Sequence, residues 1–262
     1  MASDSKELAK TETYPLAVMD PARRIELTDL SDELDGESVG MAMFTRVKMP
    51  SGGGRTWEIE NPDDADKPET PQVIEGVIVH SQRVNGYWSK SLEETGGVAP
   101  DCKSDDGVIG QGDRSGGGIT DTSPVHECHT CPLNEFGSDP SGGKACKNMW
   151  LLFVLRPDDS VPLLLTLSPA SLKPYKEFIT GQFVKRHRAR GTYVVAIGLE
   201  KAKSNDNVDY SKATFNFVTP LTPEQAAVTR SIREDLAAFV GSSAAALLTE
   251  PAAVTTTDAE IF

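Results

Sequence analysis

Strongly apolar segments occur in two parts of the chain, separated by a long stretch without apolar periodicity. The first segment, "QVIEGVIVHSQR" (72–83), has the character of a strand. After the long stretch, "MWLLFVLRP" (149–157) and "VPLLLTLS" (161–168) are joined by "DDS" and indicate a hairpin. A short helix, "SLKPYKEFITG", then precedes two further strands, "TYVVAIGLEKAK" and "ATFNFVTP".

This order of elements is typical of an OB-fold, a five-stranded Greek-key barrel whose helix lies between the third and fourth strands. We therefore predict a mainly β protein in which residues 41–220 form an OB-fold domain, with an insertion at about 98–147 between the first two strands. An SH3-like barrel is the alternative, although it does not call for an amphipathic helix at that place. One face of the last two strands is assigned to the core, namely Tyr193, Val195, Ile197, Leu199, Phe215 and Phe217.

The short helix has recognisable ends. Ser168 or Ser171 is its predicted N-cap and Gly181 its predicted end. Pro174 fits such a helix only in the first turn, because proline cannot donate the backbone hydrogen bond that later positions require.

The flanks of the barrel differ from it in composition. Residues 1–40 form a predicted polar arm, and "GMAMFTRVKMP" and "RTWEIE" then predict two short strands around "SGGG". Residues 221–240 predict a helix that starts with a capping box at Thr222 and Gln225. Residues 241–262 contain no Lys or Arg and predict a flexible acidic tail.

The net charge of −13 at first argues against a nucleic-acid partner. The charge is unevenly distributed, however, because residues 141–215 hold twelve Lys or Arg against six Asp or Glu. This asymmetry indicates one basic surface with acidic flanks, while an ordinary solvated surface remains the alternative.

All four cysteines of the chain fall within residues 102–146, and "HECHTCPLNEFGS" (126–138) holds two of them with the spacing Cys-x2-Cys. Two thiolates two residues apart can reach one metal ion from a single turn, and zinc takes four such ligands in structural sites. We predict one structural Zn²⁺ in a zinc ribbon. Either His126 or His129 is an alternative ligand in place of Cys102. The four predicted ligands are Cys102, Cys128, Cys131 and Cys146.

A catalytic zinc is not expected. Zinc deaminases place a glutamate two positions after the upstream ligand, whereas this chain has Ser104 two positions after Cys102. A site closed by four protein ligands is structural, and no other nucleophile or carboxylate cluster indicates an enzyme.

Single-stranded nucleic acid is bound by cations that follow its backbone and by aromatic rings that stack on its bases. Aromatic side chains flank the cysteine segment, and the run "KRHRAR" (185–190) precedes the fourth strand. A solvated loop is the alternative for that run. The predicted nucleic-acid-binding residues are Tyr87, Trp88, Lys144, Lys147, Trp150, Phe153, Lys185, Arg186, Arg188 and Arg190.

The motifs "CKSDDG", "CPLNEFGS", "GKACKN" and "MWLLFVL" together resemble a group of bacteriophage proteins that join a zinc ribbon to an OB-fold and bind single-stranded DNA. The arrangement is also similar to the zinc-bearing domain in the large subunit of replication protein A. The ending "DAEIF" resembles the acidic tips of bacterial and phage single-stranded DNA-binding proteins, although it carries fewer acids. These likenesses cover residues 72–218 and the last five residues.

The resemblance implies a protein that coats single-stranded DNA during replication or recombination and recruits other replication proteins through its tip. The residues expected to bind such partners are Asp258, Glu260, Ile261 and Phe262. The rival interpretation is a zinc-ribbon interaction or virion protein whose barrel contacts protein. The start of the chain has no secretory pattern and no apolar run reaches 18 residues, so we expect a cytoplasmic location and no membrane.

Deleting residues 251–262 tests the predicted tail. We expect affinity for single-stranded DNA to be unchanged or slightly raised, because an acidic segment that competes for a basic surface is removed. Binding to a replication or recombination partner should be lost. Fluorescence titration with oligo-dT measures the first effect and co-precipitation the second. Much weaker DNA binding by the truncated protein would place the tail in the DNA site instead.

Overall fold

A computed structural model describes the larger part of the chain. The described residues are 13–24, 43–61, 64, 66–90, 99–121, 123–204 and 207–247, with the backbone alone from 240 onward. Most of the predicted N-terminal arm and the predicted partner-binding tip, Asp258, Glu260, Ile261 and Phe262, lie outside these residues.

The protein is mainly β, as predicted, and the described residues include two long α-helices. The helices are α1 (Pro169–Thr180) and α2 (Pro223–Leu247). The strands are β1 (Arg46–Lys48), β2 (Glu58–Ile59), β3 (Val73–Tyr87), β4 (Cys102–Ser104), β5 (Ile109–Gly112), β6 (Val125–Glu127), β7 (Lys147–Leu155), β8 (Leu163–Leu167), β9 (Tyr193–Lys203) and β10 (Asp209–Pro220). The predicted order of strand, insertion, two strands, helix and two strands is confirmed from β3 onward.

The longest strand, β3, pairs with three other strands. Residues 73–76 pair with β9, and residues 77–86 pair with β7. Its last residues, 85–87, pair on the other edge with β4. A bulge between Ile78 and His80 interrupts the ladder with β7, and such an extra residue bends a strand and increases its twist. β3 can therefore leave one layer and enter the other.

Among the described residues the pairing path does not close into a barrel, so the predicted closed barrel is not confirmed. It runs β2-β1-β8-β7-β3-β4-β5-β6, with β9 joined to β3 and β10 to β9. Within the described residues no ladder connects β8 to β10. The segment around β1 and β2 lies between β8 and the β9–β10 pair. β1 pairs with β8, whereas the contacts with β9 and β10 involve side chains: Trp57 donates to the Ile197 carbonyl at 3.1 Å, and Ser211 donates to the Pro50 carbonyl at 2.8 Å.

The main core fills the space between β7–β8 and the sheet of β9 and β10. Trp57, Tyr175 and Tyr193 are its largest buried side chains, and α1 closes it with Tyr175. The side chains assigned to the core from sequence pack here as predicted: Tyr193, Val195, Ile197, Leu199, Phe215 and Phe217.

A second hydrophobic cluster covers the opposite face of β3 and β7. Leu151, Phe153 and Leu155 of β7 lie under the N-terminal segment 14–19, Phe44 and α2. The ring of Phe153 is fully buried, and its centroid lies 5.3 Å from that of Phe44. Phe153 therefore presents no ring to a nucleic acid in this structure, contrary to the sequence prediction, because the terminal segments bury the face on which it lies.

The helix ends match the sequence only in part. Ser168 is the N-cap of α1, but Gly181 does not end the helical path, which continues through a π-helical turn, Gly181–Lys185. Pro174 lies inside α1 and beyond the first turn, contrary to the prediction. The capping box of α2 is present, since the Thr222 amide donates to Gln225 Oε1 at 3.0 Å and the Gln225 amide donates to Thr222 Oγ1 at 3.3 Å.

The helix α2 extends to Leu247, seven residues beyond its predicted end, so the backbone of the predicted tail is helical at its start. The side chains of Val228, Ile232, Leu236 and Phe239 pack on the second cluster at the spacing that the sequence indicated.

Replacing Leu236 with Ala tests whether α2 is an integral part of the fold. Leu236 is 1% exposed, so we expect its truncation to lower the free energy of unfolding by about 2–5 kcal/mol. Glu234→Ala, on the exposed side of the same helix, is the control and should change it by less than about 0.5 kcal/mol. Urea denaturation measures both. Equal stability of the two variants would mean that α2 does not pack on the sheet.

Candidate metal centre and nucleic-acid surface

The long insertion between β3 and β7 forms a small antiparallel extension of the main sheet. β4 pairs with the end of β3, β5 pairs with β4, and β6 pairs with β5. Cys102 starts β4 opposite Tyr87, and Cys146 directly precedes β7. The two outer cysteines are therefore held by strands that belong to the main sheet.

The two central cysteines lie on a tight turn after β6. The Cys128 amide donates to the Val108 carbonyl at 2.7 Å, and the Asn134 side chain donates to the Cys128 carbonyl at 2.8 Å. The Cys146 amide donates to the Leu133 carbonyl at 2.8 Å, which brings the fourth cysteine beside this turn.

All four cysteines line one small cavity with a volume of about 10 Å³, which is the space of roughly one water-sized sphere. Each thiol is buried, and none is in a disulfide. Tyr87 and Leu133, each 4% exposed, are the other buried side chains that the described residues contribute to this cluster. The sequence prediction that the four cysteines come together is thus met in the fold.

The two histidines of the motif differ in position. His126 lines the cavity, and its Nε2 lies 3.4 Å from Cys102 Sγ. His129 is 72% exposed at its side chain and lies against Glu127, with 3.5 Å between Nδ1 and Oε2. Of the two alternative ligands, only His126 is near the thiols.

The chemistry of the donor set fits a thiophilic cation such as Zn²⁺. As the atoms stand, however, no group of three or more His, Cys, Asp or Glu in the described part of the chain is arranged to hold a metal ion. Burial and the neighbouring thiols raise the pKa of Cys102 to about 11 and that of Cys146 to about 12. At neutral pH these thiols are therefore protonated without metal, and binding must displace their protons.

The lysines beside Cys146 are engaged within the insertion. Lys144 donates to Asn134 and Asn148, each at 3.1 Å, and Lys147 forms an ion pair with Asp139 at 3.0 Å. Lys144 also lies 5.2 Å from the ring centroid of Phe136, which is 84% exposed. Both lysines, which the sequence predicts to contact nucleic acid, therefore already have hydrogen-bonding or ion-pair partners within the protein.

The run "KRHRAR" lies on what we call the basic turn, residues 181–190. The π-helical turn exposes Phe183 (61%) and Val184 (63%), and the exposed Lys185 and Arg186 follow directly. His187 has φ = 53°, in the left-handed region that nonglycine residues seldom adopt. Strained backbone and π-helical turns both occur frequently at functional sites.

The end of the basic turn is fixed to the sheets. The guanidinium of Arg188 lies 3.9 Å from the ring centroid of Phe217, and Arg190 donates to the Ser81 hydroxyl. Ser81 and Arg83 are two residues apart on β3 and share a face, so Arg190 contacts the same face of β3 that carries Arg83.

Arg83 brings this cationic path to a tryptophan. It pairs with Trp150 in the β3–β7 ladder, and its guanidinium lies 5.6 Å from the centroid of the indole. Trp150 is half-buried and contacts Tyr175 with 4.9 Å between centroids. The Arg83–Trp150 pair could not be read from sequence, because the register crosses both the long insertion and the bulge.

The two aromatic residues at the end of β3 differ in exposure, and only Tyr87 departs from the prediction. Tyr87 is only 4% exposed and belongs to the cysteine cluster, so its ring is not available for stacking. Trp88 is partly exposed and lines a groove of about 760 Å³ with Leu133, Pro140 and Ala145. Phe183 and Phe136, which the sequence did not single out, expose more ring than either residue.

No protein-family model, curated protein or solved structure matches this chain. In the described part of the chain, no helix combines the length and the apolar character that crossing a bilayer requires.

One zinc ion per chain is the expected result of elemental analysis on the purified protein. Cys131→Ser should lose most of this zinc, because one of four ligands is removed. His129→Ala is the matched control and should keep it, since that imidazole points away from the thiols. Absence of zinc from the wild-type protein, or full retention in Cys131→Ser, contradicts the predicted site.

Proposed function

We propose that the protein binds single-stranded DNA without strong sequence preference. The observation that carries this proposal is the path of cations from the basic turn to Arg83, with the exposed ring of Phe183 at one end and the half-buried indole of Trp150 at the other. A positive groove supplies backbone affinity, and rings accept bases of any identity.

The proposal depends on where the positive charge remains available. Elsewhere in the basic part of the chain, cations are neutralised internally: Lys201 pairs with Asp209 at 2.6 Å and Lys212 with Glu200 at 2.5 Å. Arg156 is held by Asp159 and Glu69. Within the described residues, no acidic side chain forms an ion pair with Lys185, Arg186, Arg188 or Arg190. The basic turn therefore carries four cations without an acidic partner among the described residues.

The exposed rings favour a single strand over a duplex. Phe183 and Trp150 lie beside cations, and a ring can stack only on a base whose face is open. In a duplex the base faces are stacked on one another, so these rings would contribute little there.

The strand pairing supports an OB-type core. Its first strand, β3, pairs with the second and the fourth, β7 and β9, and α1 lies between the third and fourth strands. OB-folds commonly bind ligands on the face of strands two and three. Here α2 and the N-terminal segment cover much of that face at Leu151, Phe153 and Leu155. We therefore place the DNA path over the basic turn and the Arg83–Trp150 pair instead.

In this proposal the insertion is a zinc ribbon whose metal gives it the rigidity that its small apolar cluster cannot. When bound, a structural zinc would fix the turn at Cys128 and Cys131 against β4 and the start of β7. The insertion would then hold Phe136 and Lys144 as a further ring and cation beside the DNA.

A protein-interaction role is the second candidate, and one observation favours it. Phe136, Val108 and Val125 of the insertion are exposed by 84%, 55% and 56%, as expected for a surface that contacts another protein. It requires no DNA affinity, so titration with oligo-dT distinguishes the two.

Neutralising the basic turn tests the DNA surface. For Lys185→Gln/Arg186→Gln we expect weaker binding to oligo-dT and a smaller dependence of log affinity on log salt, by about 0.7 for each phosphate that the variant no longer neutralises. Lys201→Gln/Lys203→Gln removes the same charge from an ion-paired site and is the control. Tryptophan fluorescence at several salt concentrations measures both. Equal effects of the two double variants, or binding independent of salt, would exclude this surface.

Phe183→Ala tests stacking separately from charge. We expect a loss of about 1–3 kcal/mol of binding free energy for single-stranded DNA, with an unchanged salt slope. Val184→Ala removes an adjacent exposed apolar side chain without a ring, and it should have a much smaller effect. Comparable affinity of the wild-type protein for duplex and single strands would contradict the stacking model.

A further inference from the structure

We propose that Arg114 is the buried counter-ion of a four-thiolate metal centre: it stabilises the metal-loaded state through its charge and does not ligate the ion. This inference rests on the proposed zinc site and is independent of DNA binding.

Arg114 is buried at the wall of the cysteine cavity. Its side chain is 5% exposed and follows β5, just before a short 3-10 turn. Nη1 lies 4.0 Å from Cys131 Sγ, and Nη2 lies 3.0 Å from Asp121 Oδ2 and 3.4 Å from the Asp121 carbonyl oxygen. Nε has no hydrogen-bond partner among the described residues.

The burial of this guanidinium needs a compensating negative charge. Burying a cation is costly unless it is paired, and a pair that water reaches compensates little. The carboxylate partner, Asp121, is 58% exposed. Asp121 therefore compensates the burial of Arg114 only in part, and further negative charge beside Nη1 would stabilise the guanidinium.

Metal loading would supply this negative charge. Four thiolates around a divalent cation carry a net charge of about −2, and a guanidinium in contact with one of the sulfurs offsets part of it. Its N–H groups also donate to thiolate sulfur, a charge-assisted hydrogen bond. The guanidinium, which already contacts Asp121, would therefore gain a second negatively charged neighbour in the loaded centre.

His126 occupies a different place around the thiols. Its Nε2 lies 3.4 Å from Cys102 Sγ, and its Nδ1 has no hydrogen-bond partner among the described residues. A side chain on Gly110 would begin 2.5 Å from His126 Nε2, so the imidazole can occupy this position only because residue 110 is glycine. We assign His126 to hydrogen bonding with Cys102, and the four sulfurs to the metal.

The experiment uses the full chain loaded with Zn²⁺ or with Co²⁺, whose visible spectrum distinguishes four sulfur ligands from three sulfurs and one nitrogen. Arg114→Met keeps most of the side-chain volume and removes the charge. We expect it to bind zinc about 10- to 100-fold more weakly in competition with a chromogenic chelator, with an unchanged four-sulfur cobalt spectrum. Arg114→Lys should recover part of the affinity. Arg55→Met, at an exposed and distant arginine, is the control.

Asp121→Asn separates a counter-ion from a structural brace. If Arg114 acts on the thiolates by its charge, removing the competing carboxylate leaves zinc affinity equal or higher. If the Arg114–Asp121 pair only braces the loop, Asp121→Asn also weakens zinc binding, and the proposal is overturned. It is equally overturned if Arg114→Met binds zinc as tightly as the wild type, or if its cobalt spectrum shows a nitrogen ligand. Oligo-dT binding of loaded Arg114→Met should be unchanged, so failure here is distinct from failure of the DNA proposal.

Discussion

The change of partner along β3 is the constraint on which the rest of the structure depends. Its first four residues are hydrogen-bonded to β9 and the following ten to β7, so one continuous strand connects both layers of the main core. At Gly76, where the exchange begins, a side chain would start 2.7 Å from the Leu155 carbonyl oxygen. Glycine is therefore required there for the two strands to approach. The end of the same strand carries β4 and so positions the first cysteine.

This arrangement connects the two candidate sites physically. Asn148 on β7 donates to Asn85 on β3 at 2.8 Å and to Asn134 of the insertion at 2.9 Å. Two positions along each strand lie Trp150 and Arg83, which pair in the same ladder. The cysteine cluster and the Arg83–Trp150 pair are therefore both attached to the paired strands β3 and β7. A base stacked near Trp150 would lie close to the insertion.

Sequence reasoning succeeded where one local pattern determines the outcome. The alternation along β9 and β10 and the capping box at Thr222 each depend on a few neighbouring residues, and the structure agrees with both. The cysteines of the Cys-x2-Cys motif line one cavity with the other two, while the zinc stays a prediction. It failed where distant segments compete for the same face. Phe153 has the pattern of a strand residue, but nothing near it in sequence indicates that Phe44 and Phe239 cover that face. The open arrangement of the strands was missed for the same reason, since the segment 46–59 contacts strands far along the chain.

The residues that sequence reasoning missed illustrate the same limit in the sites. Arg114 lies in a glycine-rich segment with no periodicity, and only its burial beside Cys131 gives it significance. Phe183 offered a readable signal, because it directly precedes the basic run, but an apolar residue near the end of a helix is usually assigned to the core. Its exposure depends on the π-helical turn, for which the sequence carries no comparable rule.

The way the insertion enters and leaves the sheet makes it a separable module. Gly86 and Lys147 are partners in the β3–β7 ladder, so the ends of the insertion are held side by side by the main sheet. A short hairpin turn could in principle join the same two strands. The main core therefore does not depend on the insertion for its connectivity, as is expected of a segment that opens locally without unfolding the rest. If the insertion binds a metal as proposed, loss of that metal is expected to affect the folding of the insertion and not that of the main core.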